Sequence, residues 1–162
     1  MQELAPLLDY FADSSVAAWL AGSADLREAV RVTHLLSAVL FAGAQVMLDL
    51  RLIGLWQRVP LEDLRRVLGG MSWWMLAICV TSGLALFSQR PFAHSSDQAF
   101  QAKMVILALF LLNAVLLRFV PAWRFLAEVD SRGTISRFRT AGIVSLALLT
   151  MLFVVMRWPG LL

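Results

Sequence analysis

Four apolar runs, roughly Val32–Leu48, Met71–Phe87, Met104–Val120 and Ala141–Met156, leave this chain few ways to fold. A helix rises ~1.5 Å per residue, so about 20 apolar residues cross a ~30 Å hydrocarbon core. Each run falls slightly short of that length and gains the difference from semi-polar flanks. The expected fold is all-α: a polytopic membrane protein with four transmembrane helices in an up-down bundle. The spans are placed at about 29–54, 71–90, 103–122 and 140–158. Composition agrees, since 60% of the 162 residues are hydrophobic and mean hydropathy is +0.75. Soluble domains lie nearer ~45–50% apolar, so a water-soluble fold would have to expose large greasy patches.

Residues 23–162 suffice for one bundle with short connections. Residues 1–22 are too acidic to span. Leu4, Leu7, Leu8, Phe11 and Ala12 recur at helical spacing, while Asp9 and Asp13 lie toward another face. That pattern predicts an N-terminal amphipathic interfacial helix on the outer surface. It does not read as a secretory signal, because the first basic residue is Arg27 and the two aspartates interrupt the early apolar residues. Ser23-Ala24-Asp25 marks the start of a helix. Pro60 with Glu62 and Asp63 predicts a short cytoplasmic helix ending at Gly69-Gly70. Pro91 to Asp97 reads as an outer loop, and Ser131-Arg132-Gly133 as a cytoplasmic turn.

Arginines set the orientation. Arg51, Arg58, Arg65, Arg66, Arg118, Arg124, Arg132, Arg137 and Arg139 fall on one side; Arg27, Arg31, Arg90, Lys103 and Arg157 fall on the other. The positive-inside rule puts the richer side in the cytoplasm and both termini in the periplasm of a bacterial inner membrane. Tryptophans mark the same span ends: Trp56, Trp73, Trp74 and Trp123 inside, Trp19 and Trp158 outside. Helices in lipid associate through small residues, which predicts seams at Ala38/Ala42, Ala77/Thr81/Ala85 and Ala141/Ser145.

Several functions drop out. The +3 charge forms no patch that interleaves basic and aromatic residues, so no nucleic-acid partner is expected. Cys79 is the only cysteine, which rules out a disulfide or a multi-thiolate metal site within one copy. No GxSxG, P-loop or HExxH is present. Enzyme status stays open, because redox membrane proteins need no such motif.

Polar side chains at membrane depth are costly and therefore point to function. In the outer half, His34, flanked by Thr33 and Ser37, lies level with Thr81, Ser82 and Gly83. Lys103, Met104, Phe153 and Met156 reach the same slab. His34 suits a haem-iron or copper ligand or a proton carrier; its bland alternative is a hydrogen bond to a neighbouring helix. His94 is the only other imidazole for a bis-histidine haem, or else a solvated loop residue. Met104 or Met156 could supply a thioether, or merely pack. Lys103 either snorkels or anchors an anionic group such as a haem propionate. Gly43 and Gly83 would leave room for a porphyrin. In the inner half, Gln45 and Asp49 share a face, and Asn113, Arg118 and Arg139 approach the same level. Asp49 sits near a helix C-terminus and calls for a cation, Arg118 or Arg139 rather than Arg51. This layer serves polar pairing or proton entry.

The stretch from His34 to Gly43, followed by Asp49-Leu-Arg51-Leu-Ile-Gly54, resembles an uncharacterised family of small bacterial four-helix inner-membrane proteins. Further matching positions are Thr81-Ser-Gly83-Leu-Ala-Leu-Phe87, Phe100-Gln-Ala-Lys103 and Asn113, so the likeness covers most of the chain from residue 30 to 120, and the fourth span matches only as a hydrophobic helix. That family is distantly similar to copper-resistance D proteins and, more loosely, to b-type cytochrome four-helix bundles. The resemblance implies a membrane protein with one haem b, one copper ion or no cofactor, since only His34 lies within a span. Two functions follow. One is redox or metal handling at His34. The other is a non-catalytic accessory or scaffold subunit docking a periplasmic or membrane protein. A small transporter ranks behind both, and its four spans would require a homo-oligomer.

Overall fold

The computed structural model describes residues 5–119 and 136–157. Its elements are α1 (Ala5–Ala12), α2 (Ser15–Ala21), α3 (Ala24–Ile53), α4 (Leu61–Phe87), α5 (Pro91–Ser96), α6 (Gln98–Arg118) and α7 (Ser136–Arg157), with no strand among the described residues. The Arg118 side chain, Trp123, Arg124, the turn at 131–133 and Trp158 lie outside the described residues.

Local chemistry explains the boundaries. Ser23 Oγ accepts from the Leu26 amide at 3.3 Å and opens α3; Asp97 accepts from the Ala99 amide at 3.0 Å and opens α6. Gly54 closes α3 at φ 114°, a left-handed conformation that glycine adopts without Cβ strain. The Leu55 amide then reaches back to the Leu50 carbonyl and the Gly54 amide to that of Arg51, a Schellman closure. Pro91 sits in the first turn of α5, where its missing N–H is not needed.

Two boundaries differ from expectation. The N-terminal segment is two helices, because Ser14 Oγ donates to the Phe11 carbonyl and accepts from the Ala17 amide, ending one helix and starting the next. The expected separate helix before Gly69-Gly70 is instead the first third of α4. A glycine costs a helix only ~1 kcal/mol relative to alanine. Neither Gly69 nor Gly70 takes a positive φ, so the helix runs through both.

Four helices, α3, α4, α6 and α7, are long and apolar enough to cross a membrane. At 21 residues α6 is ~32 Å long, and at 30 residues α3 is ~45 Å, against a ~30 Å core. α3 is central: it packs against α4 on one side and α7 on the other, and α7 carries α6. The start of α3 meets the end of α4, and Ala99 and Ile106 of α6 pack with Val155 of α7. Phe41 meets Phe110 edge-on at 5.8 Å, tying α3 to α6. Only 6% of the apolar window of α4 is buried, and Trp73, Trp74, Val80 and Leu84 are exposed. Such a surface suits hydrocarbon better than water, and with the four long helices it suggests a multi-pass membrane protein.

The small helices form a layer at one end. α2 contacts α3 and α4, α1 contacts α5, and α5 contacts α6. Phe11 packs edge-on against Phe87 at 5.7 Å, and Phe87 stacks on Phe100 at 5.6 Å. Leu8, Ala17 and Leu20 are buried beneath the layer, whereas Leu7, Tyr10, Val16 and Trp19 are exposed.

Candidate functional site

His34 lies on the face of α3 that packs against α4. Its Nδ1 is 2.9 Å from the Cys79 carbonyl oxygen and 3.3 Å from Ser82 Oγ. A carbonyl only accepts, and the Ser82 hydroxyl already donates to the Ile78 carbonyl at 2.6 Å. The proton therefore belongs on Nδ1, and Nε2 is the nitrogen left to accept a proton or a metal in the neutral ring. Gly83 makes this seat. A Cβ there would stand 3.0 Å from His34 Cε1 and 3.3 Å from Nδ1, so a side chain would press on the ring. Cys79 Sγ lies 3.7 Å from the same nitrogen, and Ser37 Oγ donates to the His34 carbonyl at 2.9 Å.

The rest of the expected outer layer does not gather here. Thr33 and Thr81 donate to carbonyls of their own helices, at 2.8 and 2.9 Å. Met104, Phe153 and Met156 are exposed. Lys103 is half-buried on α6 and makes no ion pair among the described residues. His94 stacks on Phe87 at 6.1 Å and lies 5.5 Å from the Phe100 ring centre, so it belongs to the end layer. Gly43 faces open space, with nothing within 4 Å of an added Cβ. Among the described residues no three His, Cys, Asp or Glu side chains converge as a metal-binding group. These placements do not fit a haem held by an axial pair. What they present is one imidazole nitrogen, Nε2 of His34.

The inner layer gathers on α7. Ser145 Oγ donates to Asp49 Oδ2, and both residues are buried. Asn113 Nδ2 donates to the Ala141 carbonyl at 3.0 Å. Between these bonds Gly142 lies directly on α3, where an added Cβ would come within 2.9 Å of the Asp49 carbonyl oxygen. Asp49 was expected to meet Arg118 or Arg139; the Ser145 hydroxyl meets it, Arg139 is exposed, and the Arg118 side chain lies outside the described residues. A serine one turn from a helix–helix contact reaches a buried carboxylate with no long side chain to order. Arg51 points elsewhere: its Nε donates to the Val59 carbonyl at 2.7 Å and its NH2 group to that of Gln57 at 3.4 Å. Gln45 is half-buried and adds no side-chain hydrogen bond among the described residues.

Interhelical hydrogen bonds in membrane proteins are worth about 0.6 kcal/mol on average and up to ~1.7. A double-mutant cycle of Asp49→Ala and Ser145→Ala is therefore expected to give a coupling of about 0.6–1.7 kcal/mol in unfolding free energy. A coupling of zero would show that the bond does not form.

Some of these contacts had a sequence signal and some had none. Ser82 and Gly83 stand at the right depth, and Ser145 belongs to an expected seam. Gly142, the contact point itself, was not among the residues of that expected seam. Ala77 and Thr81 are exposed, whereas Ser72 and Ser82 are the buried polar residues of α4. The acceptor at Cys79 is a backbone carbonyl, which every residue type carries.

No family model, curated protein or solved structure matches the chain.

Proposed function

We propose that this is a bacterial inner-membrane protein, a four-span up-down bundle with periplasmic termini, acting as a non-catalytic accessory subunit. The observation that carries the proposal is where its deep polar side chains are spent. His34 bonds α4, Asp49 bonds α7 through Ser145, and Asn113 bonds α7. Each bond joins two long helices, which is how polar groups in lipid hold helices in register. Polar residues committed to neighbouring helices are poorly placed to turn over a substrate. The end layer of α1, α2 and α5, with Tyr10, Trp19 and Phe92 exposed, offers the surface for an extracytoplasmic protein partner.

One observation favours redox or metal handling as a second reading. Metal-binding histidines characteristically donate one ring N–H to a carbonyl and ligate through the other nitrogen, and His34 donates to Cys79 in that manner. Haem or copper bound at Nε2 would supply electron transfer.

The two readings separate in one experiment. Native and His34→Ala proteins, and a chain lacking residues 1–22, are purified from haem- and copper-replete cells. Co-purifying proteins, absorption spectrum and metal content are recorded. The accessory reading expects the partner to stay with His34→Ala and to be lost with residues 1–22, with no change in spectrum. A Soret band or bound copper that His34→Ala abolishes would overturn it in favour of the second reading.

A further inference from the structure

A cavity of about 770 Å³ lies where α2 crosses the start of α3 and the end of α4. Asp13, Arg27, Arg31, Gln89, Arg90 and His94 are among its walls. Its charges do not balance. Arg31 pairs with Glu28 at 3.4 Å, but among the described residues Arg27 and Arg90 make no ion pair and Asp13 is the only acidic side chain in the wall. Arg27 also stands in the first turn of α3, where the helix dipole is already positive and favours an anion nearby. Gln89 lines the same cavity.

Guanidinium groups are planar forks that match the oxygens of phosphate in pairs, and they hold it more strongly than neutral donors do. Several arginines around one cavity suit a group with three or four oxygens better than a lone carboxylate. We infer that this cavity binds a phosphate-bearing anion, with Arg27 and Arg90 as its charge partners. The cavity sits at the rim of two span-length helices, the level at which an anionic lipid presents its headgroup phosphate. Free phosphate offers the same oxygens. The inference stands apart from the accessory reading, because it concerns a ligand and not a protein partner.

The test uses the full chain in a phosphate-free maltoside detergent at low ionic strength. Its thermal midpoint is followed during titration with phosphatidylglycerol, phosphatidylcholine or inorganic phosphate, since a ligand of the folded state raises the midpoint. Phosphatidylglycerol is expected to stabilise the protein and phosphatidylcholine to do so far less. The double variant Arg27→Gln/Arg90→Gln is expected to need about tenfold more ligand or worse for the same shift. A response to phosphatidylglycerol alone assigns the site to lipid, and a response to inorganic phosphate as well shows that the free anion suffices; both support the inference. Should the double variant fail to fold, Arg90→Gln alone replaces it and must also weaken the response. Equal response to the two lipids with none to inorganic phosphate, or equal affinity in native and substituted proteins, overturns the inference.

Discussion

Gly142→Leu is expected to force α7 off α3 and lower the unfolding free energy by about 1–3 kcal/mol, toward the upper end of the overpacking range. The cause is backbone and not side chain. A Cβ at residue 142 would lie 2.9 Å from the Asp49 carbonyl oxygen and 3.2 Å from both Leu52 Cβ and Ile53 Cγ1. A helix carbonyl cannot rotate away as a side chain can, so the whole helix must shift. That shift also pulls Ser145 from Asp49, which is one turn away in the same contact. Gly43→Leu is the control, because an added Cβ there meets nothing within 4 Å. It should leave stability unchanged or raise it by up to about 1 kcal/mol, because leucine is a better helix former than glycine. Thermal unfolding in detergent, followed by far-ultraviolet circular dichroism, compares the two. Equal midpoints would mean that α3 and α7 do not meet at Gly142.

Arg51→Ala is expected to cost about 2–4 kcal/mol, the sum of a buried cavity and a lost charge-assisted hydrogen bond. Arg51 is 2% exposed and among the largest fully enclosed side chains. It extends from the last turn of α3 to the carbonyls of Gln57 and Val59, holding the connection to α4 against the helix it has just left. Within that connection Gly54 and Trp56 both take positive φ, at 114° and 52°. The second is uncommon for a bulky residue and persists only where its surroundings hold it. Arg51→Lys should restore part of the loss, because an ammonium keeps the charge but cannot reproduce a planar fork. Limited proteolysis between Leu55 and Pro60 provides the second readout. Cleavage should be fastest in Arg51→Ala, intermediate in Arg51→Lys and slowest in the native chain. Identical cleavage in all three would remove the pinning role from Arg51.

Both residues illustrate how far sequence reasoning reached. Arg51 stood out through its place in an Asp-Leu-Arg-Leu-Ile-Gly ending, and residues two apart on a helix do not share a face, which set it apart from Asp49. Its targets were not legible, since they are main-chain oxygens in a turn whose shape depends on Gly54. His34 was picked out by its depth, and the glycine and serine that seat it were placed at its level. Its acceptor was not, because Cys79 is 45 residues away and contributes a carbonyl. Met104, Met156 and His94 shared a depth or a side of the membrane with His34 without sharing its direction. Depth follows from position along a helix; direction follows from how that helix is rotated about its axis.

Hydropathy, helix length and capping are local, so the four long helices and most of their ends follow from neighbouring residues alone. Ser23, Asp97 and Gly54 act within one turn of themselves, and no distant contact is needed to understand them. Rotation and pairing are different. In water a helix advertises its buried face by an apolar stripe, but hydrocarbon is as apolar as a protein interior, and a helix made for it can be greasy all round. That removes the periodicity from which facing residues are read. The faces of α3, α4 and α7 are therefore settled by close backbone approach at Gly83 and Gly142 and by hydrogen bonds between helices far apart in the chain, which exist only once the helices have assembled.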